Sequence, residues 1–205
     1  MMTKRLFDIV CSATGLVVLS PVLVIIAVLI KLTSRGPLFY RGERIGRHEE
    51  PFRVWKFRTM VAEGEKAGPL ATAEDDPRIT KVGAVLRRLK LDELPQMINV
   101  LVGEMSLVGP RPEAALYFEH YTPEEKKTIL SVKPGITDYG SLHFHDEGKL
   151  LEGSDDPVQT YLDKIKDKKV KLQMDYIREQ SLWVDLKVIV ATVFTIVTTR
   201  MSRRG

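Results

Sequence analysis

The hydrophobic pattern of the chain is dominated by one long apolar run near the N-terminus. It extends from Ile9 to Leu32 and reads IVCSATGLVVLSPVLVIIAVLIKL. A helix of this length can cross the hydrocarbon core of a bilayer. A cleaved signal peptide is the competing interpretation, but the run is too long for the apolar region of a signal peptide and no small-residue cleavage site follows it. The pattern therefore predicts a membrane anchor within residues 1–35.

Basic residues flank this run on both sides, with Lys4 and Arg5 before it and Arg35 among those after it. Because basic flanks favour the cytoplasm, both ends are expected there, whereas a straight span would leave one basic flank outside. Ser20 and Pro21 lie in mid-run, where proline removes a backbone hydrogen bond and the serine hydroxyl can satisfy the freed carbonyl. A re-entrant helix that turns back at this break accounts for both flanks. The alternative is a single-pass helix with a mild kink, which the hydropathy pattern alone favours because re-entrant helices are scarce.

Short alternation of apolar and polar residues follows the run. The segments LFYRGERIG and FRVWKFRTM, joined by a polar turn, predict a small β-hairpin. Lys56 lies in the second arm, between Arg53 and Arg58, so this arm is basic; a solvated face of an amphipathic strand is the alternative interpretation. Residues 60–76, with their glycines, proline and small or acidic side chains, predict a mobile loop.

Helical periodicity returns in the rest of the chain. Apolar residues recur at helical spacing over 79–90 and 94–101, a capping box opens a helix at Thr122, and a charged amphipathic helix is predicted over 156–179. The last apolar stretch, Val188 to Val197, is too short to cross a bilayer. It is flanked by residues that suit an interfacial helix, namely Trp183, Arg200, Arg203 and Arg204. A buried helix of the core is the alternative.

Composition and charge narrow the class of protein. The 205 residues, 44% hydrophobic and 28% charged, are typical of one folded domain. The net charge of +4 suits anionic lipid or nucleic acid, but no nucleic-acid-binding module accompanies it, so membrane lipids and phosphates are the expected partners and nucleic acid is not. Cys11 is the only cysteine, which excludes an intramolecular disulfide and a cysteine zinc cluster and fits a reducing compartment.

The most distinctive chemistry is a carboxylate pair, Asp92 and Glu93, set in an apolar segment. Basic residues lie on both sides of the pair, at Arg87, Arg88 and Arg111. Carboxylates beside arginines suggest a site where a phosphorylated substrate and a metal ion meet. The alternative is a helix start, with Asp92 as the N-cap and Glu93 opposing the helix dipole. A helix N-terminus also favours an ionised carboxylate, so the two interpretations are compatible.

Two further segments are candidates for the site. Arg111 stands between Pro110 and Pro112, which predicts a stiffly held guanidinium suited to phosphate; an ordinary exposed turn arginine is the alternative. A polar loop contains His143, His145, Asp146 and Glu147. These side chains are a weaker candidate for metal binding, and the alternative is that the histidines are surface residues.

The order of these motifs resembles that of the small monotopic phosphoglycosyl transferases, the bacterial sugar transferase family of undecaprenyl-phosphate phosphosugar transferases. The matching segments are KRLFDIV followed by Ser20-Pro21, KFRTM, DPRITKVGAVLRR, LDELPQMINVLVGEMSLVGPRP and KPGIT. The resemblance runs nearly end to end. It implies an α+β, mostly helical fold with a re-entrant N-terminal membrane helix, a small β-hairpin, catalytic helices and interfacial amphipathic helices. Residues 1–35 would be the membrane anchor, and residues 36–205 a cytosolic catalytic domain lying on the membrane surface.

The resemblance also implies a reaction and its site. A phosphosugar passes from a UDP-sugar to polyprenyl phosphate with release of UMP, at the cytoplasmic face of the bacterial inner membrane. Carried over residue by residue, Asp92 is the nucleophile that forms a phosphosugar-aspartyl intermediate and Glu93 binds Mg2+. Arg87 and Arg111 hold phosphate charge, with Lys56 nearby in the hairpin. A homodimer is also compatible with the resemblance.

One segment departs from the pattern of the family. Where many relatives continue PGIT with a stretch similar to Gly-Leu-Ala-Gln, this chain reads PGITDYGSLHFHDEGKLL. The divergent loop, Asp138 to Leu151, therefore predicts a different donor sugar while leaving the reaction unchanged. A noncatalytic, membrane-tethered scaffold that binds lipid phosphates is the alternative function, and the intact Asp92-Glu93 pair argues against it.

Overall fold

The computed structural model describes residues 2–62 and 72–202, with side chains up to residue 198. Part of the predicted loop at 60–76 lies outside the described residues, as do the side chains of Arg200, Arg203 and Arg204. The described chain is mostly helical, as predicted. Its longer helices are α1 (Met2–Thr33), α2 (Lys81–Arg88), α9 (Asp167–Glu179) and α10 (Leu182–Ser202). The shorter helices are α3 (Met97–Val102), α4 (Ala115–Phe118), α5 (Pro123–Ile129), α6 (Tyr139–His143), α7 (Glu147–Leu150) and α8 (Pro157–Tyr161).

The strands are short and pair two by two. They are β1 (Phe39–Tyr40), β2 (Glu43–Ile45), β3 (Pro51–Arg53), β4 (Lys56–Phe57), β5 (Ser106–Val108) and β6 (Gly135–Thr137). Antiparallel pairs β2–β3 and β1–β4 form the inner and outer parts of one hairpin, which confirms the prediction for this region. The outer pair places Tyr40 opposite Lys56, so the hairpin fixes where Lys56 lies.

Helix α1 is continuous from Met2 to Thr33, with Pro21 inside it. The backbone N–H that proline lacks would have bonded to the carbonyl of Val17, and the Ser20 hydroxyl donates to that oxygen instead, at 2.8 Å. The expected satisfaction of the freed carbonyl is therefore confirmed. Most of the apolar surface of α1 is exposed, which suits contact with lipid. The turning back of the helix in the membrane stays a prediction.

Both ends of α1 are packed against the rest of the protein. Near its start, Arg5 donates to the carbonyls of Val100 at 2.5 Å and Leu101 at 2.8 Å, at the C-terminal end of α3. The buried Asp8 accepts a hydrogen bond from the Ser106 hydroxyl at 2.8 Å, where β5 begins. Near its other end, Ile26 and Ile30 are buried in a cluster with two residues of the hairpin and α2, Phe57 and Leu86.

The two helices predicted around the carboxylate pair are confirmed. Thr80 caps α2 by accepting from the Gly83 N–H at 2.9 Å, and α3 ends at Gly103, whose φ of 94° suits glycine. Between them Lys90 adopts a left-handed φ of 53°, and a 3₁₀ helix spans Leu91–Gln96. Asp92 lies within this 3₁₀ helix, after Lys90 in the capping position, so the alternative interpretation of Asp92 as an N-cap is wrong.

Two glycines allow the segment before Arg111 to lie against β6. A Cβ on Gly135 would come within 2.1 Å of the Gly109 backbone nitrogen, and a Cβ on Gly109 within 2.5 Å of the carbonyl oxygen of Lys133. The parallel pairing of β5 with β6 continues into this contact, with the Gly109 N–H donating to the carbonyl of Thr137 at 3.0 Å. The KPGIT turn therefore supports the VGPRP segment directly.

The C-terminal part combines predicted and unpredicted features. The capping box at Thr122 is confirmed, with reciprocal hydrogen bonds to Glu125. Helix α10 buries Asp185 and Val188 against the domain, so the core interpretation holds for one side of it. The other side exposes large apolar side chains at Trp183, Val190, Val193, Phe194 and Val197.

Candidate active site

Glu93 is the centre of a buried charge cluster. Arg111 binds the Glu93 carboxylate with both arms of its guanidinium, Nη1 to Oε2 at 3.0 Å and Nη2 to Oε1. Lys56, from β4, donates to Glu93 Oε1 at 2.8 Å. Burial would raise the pKa of Glu93, but the charges of Arg111 and Lys56 outweigh it and hold the pKa well below its usual range. Glu93 is therefore an ionised carboxylate that fixes two cations.

Asp92 has a different environment from its neighbour. It is only 7% exposed, and its Oδ1 has no hydrogen-bond partner among the described residues. Burial, and then the charge of Glu93, raise the pKa of Asp92 above its usual value, against the opposing charges of Lys56 and Arg87. A buried polar atom without a protein partner is uncommon in native proteins and needs an explanation, of which a catalytic role is one and a bound water or ion another. Asp92 thus has an oxygen available for chemistry.

Arg87 reaches the same region from α2. Gly83 lets this helix approach the hairpin, because a Cβ there would lie 2.0 Å from the carbonyl oxygen of Thr59. The close approach allows Arg87 Nε to donate to the Thr59 hydroxyl at 2.9 Å. The structure therefore brings Arg87 and Lys56 to the carboxylate pair from two elements, whereas Arg88 is exposed.

Arg111 is held at its backbone as well as at its side chain. Its N–H donates to Asp138 Oδ2 at 3.3 Å, and the fully buried Asp138 also accepts from the Ser141 N–H at 2.6 Å. The expected stiff placement agrees with these contacts, and Arg111 is not a free turn arginine. Its guanidinium binds Glu93, and the holding of phosphate by Arg111 stays a prediction.

The donor set at the carboxylate pair limits how Mg2+ could bind there. Within residues 2–62 and 72–202 no group of three or more histidine, cysteine, aspartate or glutamate side chains is arranged for a metal. One or two carboxylates suffice, however, for a Mg2+ ion that arrives with substrate phosphates, and the unpartnered Oδ1 of Asp92 is a suitable oxygen. Glu93 Oε1 accepts from both Lys56 and Arg111, whereas Oε2 accepts from Arg111 alone and has a second lone pair for a metal. The pair fits Mg2+ delivered by a diphosphate rather than a permanent metal centre.

The weaker metal candidate in the polar loop does not assemble. His143 packs its ring edge-on against Phe144, and His145 Nε2 lies 3.4 Å from Asp146 Oδ2. Glu147 is directed to Lys169 instead, at 2.9 Å. The alternative interpretation, that the histidines are surface residues, fits this arrangement.

Sequence reasoning missed a second charge cluster behind Arg111. Glu113 and Lys169 are buried and form an ion pair at 3.3 Å. Lys169 lies in a run of charged residues that appears solvent-exposed. A signal was present, because Lys169 follows Tyr161 and Ile165 at four-residue spacing and so shares their buried face. Glu113 gave no comparable signal.

Comparison with known proteins shows which sequences this chain is similar to. The family model described as bacterial sugar transferase matches residues 1–199. The UDP-glucose:undecaprenyl-phosphate glucose-1-phosphate transferase of Escherichia coli is 44% identical over 195 residues, which cover 93% of this chain and 39% of that protein. The UDP-N-acetylgalactosamine-undecaprenyl-phosphate N-acetylgalactosaminephosphotransferase of Aeromonas hydrophila is 35% identical over 199 residues, 95% of this chain and 44% of that protein.

A third relative is close to this chain in length. The exopolysaccharide production protein PSS of Rhizobium leguminosarum is 35% identical over 197 residues, 93% of this chain and 92% of that protein. The chain spans less than half the length of the other two relatives. Because the family model covers the anchor, the hairpin, the carboxylate pair and the helices that follow, this chain belongs to the bacterial sugar transferase family.

Proposed function

We propose that this protein transfers a phosphosugar from a UDP-sugar to undecaprenyl phosphate and releases UMP, as the first membrane step of a bacterial glycoconjugate pathway. The observation that carries the proposal is the buried Asp92, with one oxygen unpartnered, beside a Glu93 that fixes two cations. Relatives named for transfer of glucose phosphate and N-acetylgalactosamine phosphate to undecaprenyl phosphate support the acceptor. Their names differ in the sugar, so the donor of this chain is open.

In the first step a carboxylate oxygen of Asp92 attacks the phosphorus that bears the sugar. A bond forms between Asp92 and this phosphorus, the bond to the bridging oxygen of the diphosphate breaks, and its electron pair leaves with UMP. In the second step an oxygen of the lipid phosphate attacks the same phosphorus. The acyl phosphate bond breaks, and its electron pair returns to the Asp92 carboxylate. No proton is transferred in either step, so the reaction requires no general base.

The cations around the pair answer the main electrostatic obstacle, which is repulsion between an anionic nucleophile and an anionic diphosphate. Arg111 and Lys56 are already oriented by Glu93, and Arg87 by Thr59, so little side-chain ordering remains to be done when the phosphates bind. Mg2+, held by Glu93 together with the diphosphate, would supply further positive charge at the phosphorus. The diphosphate would also compete with Glu93 for the hydrogen bonds of Arg111.

We also propose that α1 is re-entrant and that the site lies at the cytoplasmic surface of the inner membrane. Support comes from contacts at both ends of α1: Arg5 binds the end of α3, and Ile30 packs with the hairpin. A helix that crossed the bilayer completely would carry one of these ends to the opposite side. The exposed apolar side of α10, which begins with Trp183, would lie in the interface of the same leaflet.

The test uses the full chain in nanodiscs with Mg2+, a panel of UDP-sugars, and undecaprenyl phosphate added or omitted. We expect continuous UMP release with the lipid and, without it, a burst of about one UMP per protein molecule, because the covalent step precedes the lipid. Asp92→Asn should abolish both, whereas Asp75→Asn, the same change at an exposed aspartate, should preserve them.

Turnover by Asp92→Asn at the wild-type rate would refute the covalent mechanism. A folded wild-type protein that binds undecaprenyl phosphate but releases no UMP from any donor would instead support the noncatalytic scaffold.

A further inference from the structure

The divergent loop, Asp138 to Leu151, is fastened to the Arg111 segment at two points. At its start Asp138 accepts the hydrogen bond from the Arg111 N–H, at 3.3 Å. Farther along, Glu147 Oε2 accepts from Lys169 Nζ at 2.9 Å, and the same Nζ lies 3.3 Å from Glu113 Oε1. The two points of attachment are thus Arg111 itself and Glu113, two residues farther along the chain. The loop therefore lies next to the charge cluster around Glu93.

Lys169 is a rigid support for Glu147. Its side chain is 4% exposed, and Glu113, its second partner, is 6% exposed. The carboxylate of Glu113 is fully engaged, since it also accepts hydrogen bonds from the Tyr161 hydroxyl at 2.6 Å and from the Tyr121 hydroxyl at 3.1 Å. A buried network with every partner in place has one geometry, so Glu147 is held in a fixed direction.

Glu147 differs from Glu113 in that part of it is accessible. Its side chain is 31% exposed, and among the described residues Lys169 alone donates to it, through Oε2. Burial would raise the pKa of Glu147, but the charges of Lys169 and then Arg111 hold the pKa below its usual value, so the group is ionised at neutral pH and lies near enough to Arg111 to interact with its charge. Oε1 is therefore a hydrogen-bond acceptor with no donor among the described residues, on a side chain that Lys169 holds and that is partly accessible.

We propose that Glu147 is a specificity-determining residue that accepts hydrogen bonds from hydroxyl groups of the donor sugar. The inference rests on the proposed function, in which the diphosphate binds at Asp92 and Arg111. The sugar is attached to the phosphorus that Asp92 attacks, so it must lie beside this cluster, and its hydroxyls need acceptors. A carboxylate that is oriented in advance is a strong acceptor and discriminates against a sugar that cannot donate to it.

The experiment compares wild type with Glu147→Gln, using UDP-glucose, UDP-galactose, UDP-N-acetylglucosamine and UDP-N-acetylgalactosamine as probes. Calorimetry measures the binding of each sugar nucleotide and of UDP, and UMP release measures turnover in a separate arm. We expect Glu147→Gln to weaken binding of the preferred sugar nucleotide by about 10- to 100-fold, as for loss of a hydrogen bond to a charged group, and to leave UDP binding unchanged. The preference among the four donors should shrink by a similar factor. Glu152→Gln, the same change at an exposed glutamate, should alter neither quantity.

Two results would overturn the inference. Equal weakening of UDP and of every sugar nucleotide would show that Glu147 only positions the Arg111 segment, and unchanged binding would show that it does not contact the sugar. The binding measurements test the role of Glu147 even if no UMP is released. A lack of UMP release would refute the proposed function but not the role of Glu147 in binding. A wild-type protein that binds no UDP-sugar refutes both.

Discussion

Replacing Lys169 with methionine tests whether the second charge cluster stabilises the protein. The substitution keeps most of the apolar stem of the side chain but removes the charge from between Glu113 and Glu147. Glu113 would then be a carboxylate that is 6% exposed and that keeps, among the described residues, the hydrogen bonds of two tyrosine hydroxyls. Removing one member of a buried ion pair typically costs about 3–5 kcal/mol, whereas an exposed pair contributes about 0–1 kcal/mol.

The expected loss in free energy of unfolding is therefore about 3 kcal/mol or more, measured by denaturant unfolding of the detergent-solubilised chain. Adding Glu113→Gln to the variant should recover part of the loss, because the uncompensated buried charge is then gone. Lys168→Met, at the exposed neighbour, should change the unfolding free energy by less than about 0.5 kcal/mol. A loss below about 1 kcal/mol for Lys169→Met, or no recovery in the double variant, would refute the reasoning.

Three further predictions concern the site and the anchor. Arg111→Lys should lower kcat/KM for UMP release by about 10²-fold, since a lysine cannot replace the two hydrogen bonds that the guanidinium gives to Glu93. An unchanged kcat/KM would show that the reaction does not depend on this bidentate contact. Because the pKa of Asp92 is raised in the folded protein, its ionised form destabilises the fold, and Asp92→Asn should raise the Tm at neutral pH. This gain in Tm should vanish below about pH 4, where the aspartate is protonated in the unfolded chain as well. A gain that persisted at that pH would have another origin. In a Cys11→Ser background, Thr3→Cys and Arg35→Cys should both be labelled only from the cytoplasmic side, and extracytoplasmic labelling at residue 3 would refute the re-entrant topology.

Much of the local structure was predictable because its causes lie close together in sequence. The capping box at Thr122 and the Ser20 hydrogen bond to the carbonyl freed by Pro21 involve residues three positions apart. The carboxylate pair stood out because charged residues in an apolar segment need a reason for their burial. The geometry of the pair was not predictable, since it depends on the left-handed Lys90 and on a 3₁₀ helix.

Partners distant in sequence were beyond the reach of pattern reasoning. Lys169 was predicted within a charged helix, yet its two carboxylate partners lie 22 and 56 residues away. Arg111 was predicted to hold phosphate, which stays a prediction, whereas its binding of Glu93 follows from how β4, the 3₁₀ helix and the prolyl segment converge. Long-range pairing of this kind is decided by the tertiary fold and leaves no periodic trace in the chain.

The contacts along α1 have a consequence for how the protein is made. The helix that hydropathy marks as an anchor contributes Asp8, Ile26 and Ile30 to the buried interior, and Arg5 closes the end of the helix that follows the carboxylate pair. It precedes in the chain the segments that it packs against, and it is long and apolar enough to cross a membrane. The later segments therefore need α1 as a surface to assemble on, so we expect correct placement of this helix to be a condition for folding of the candidate site. A fragment that starts at residue 36 would lack part of its own core, and we expect it to aggregate rather than to yield a soluble enzyme.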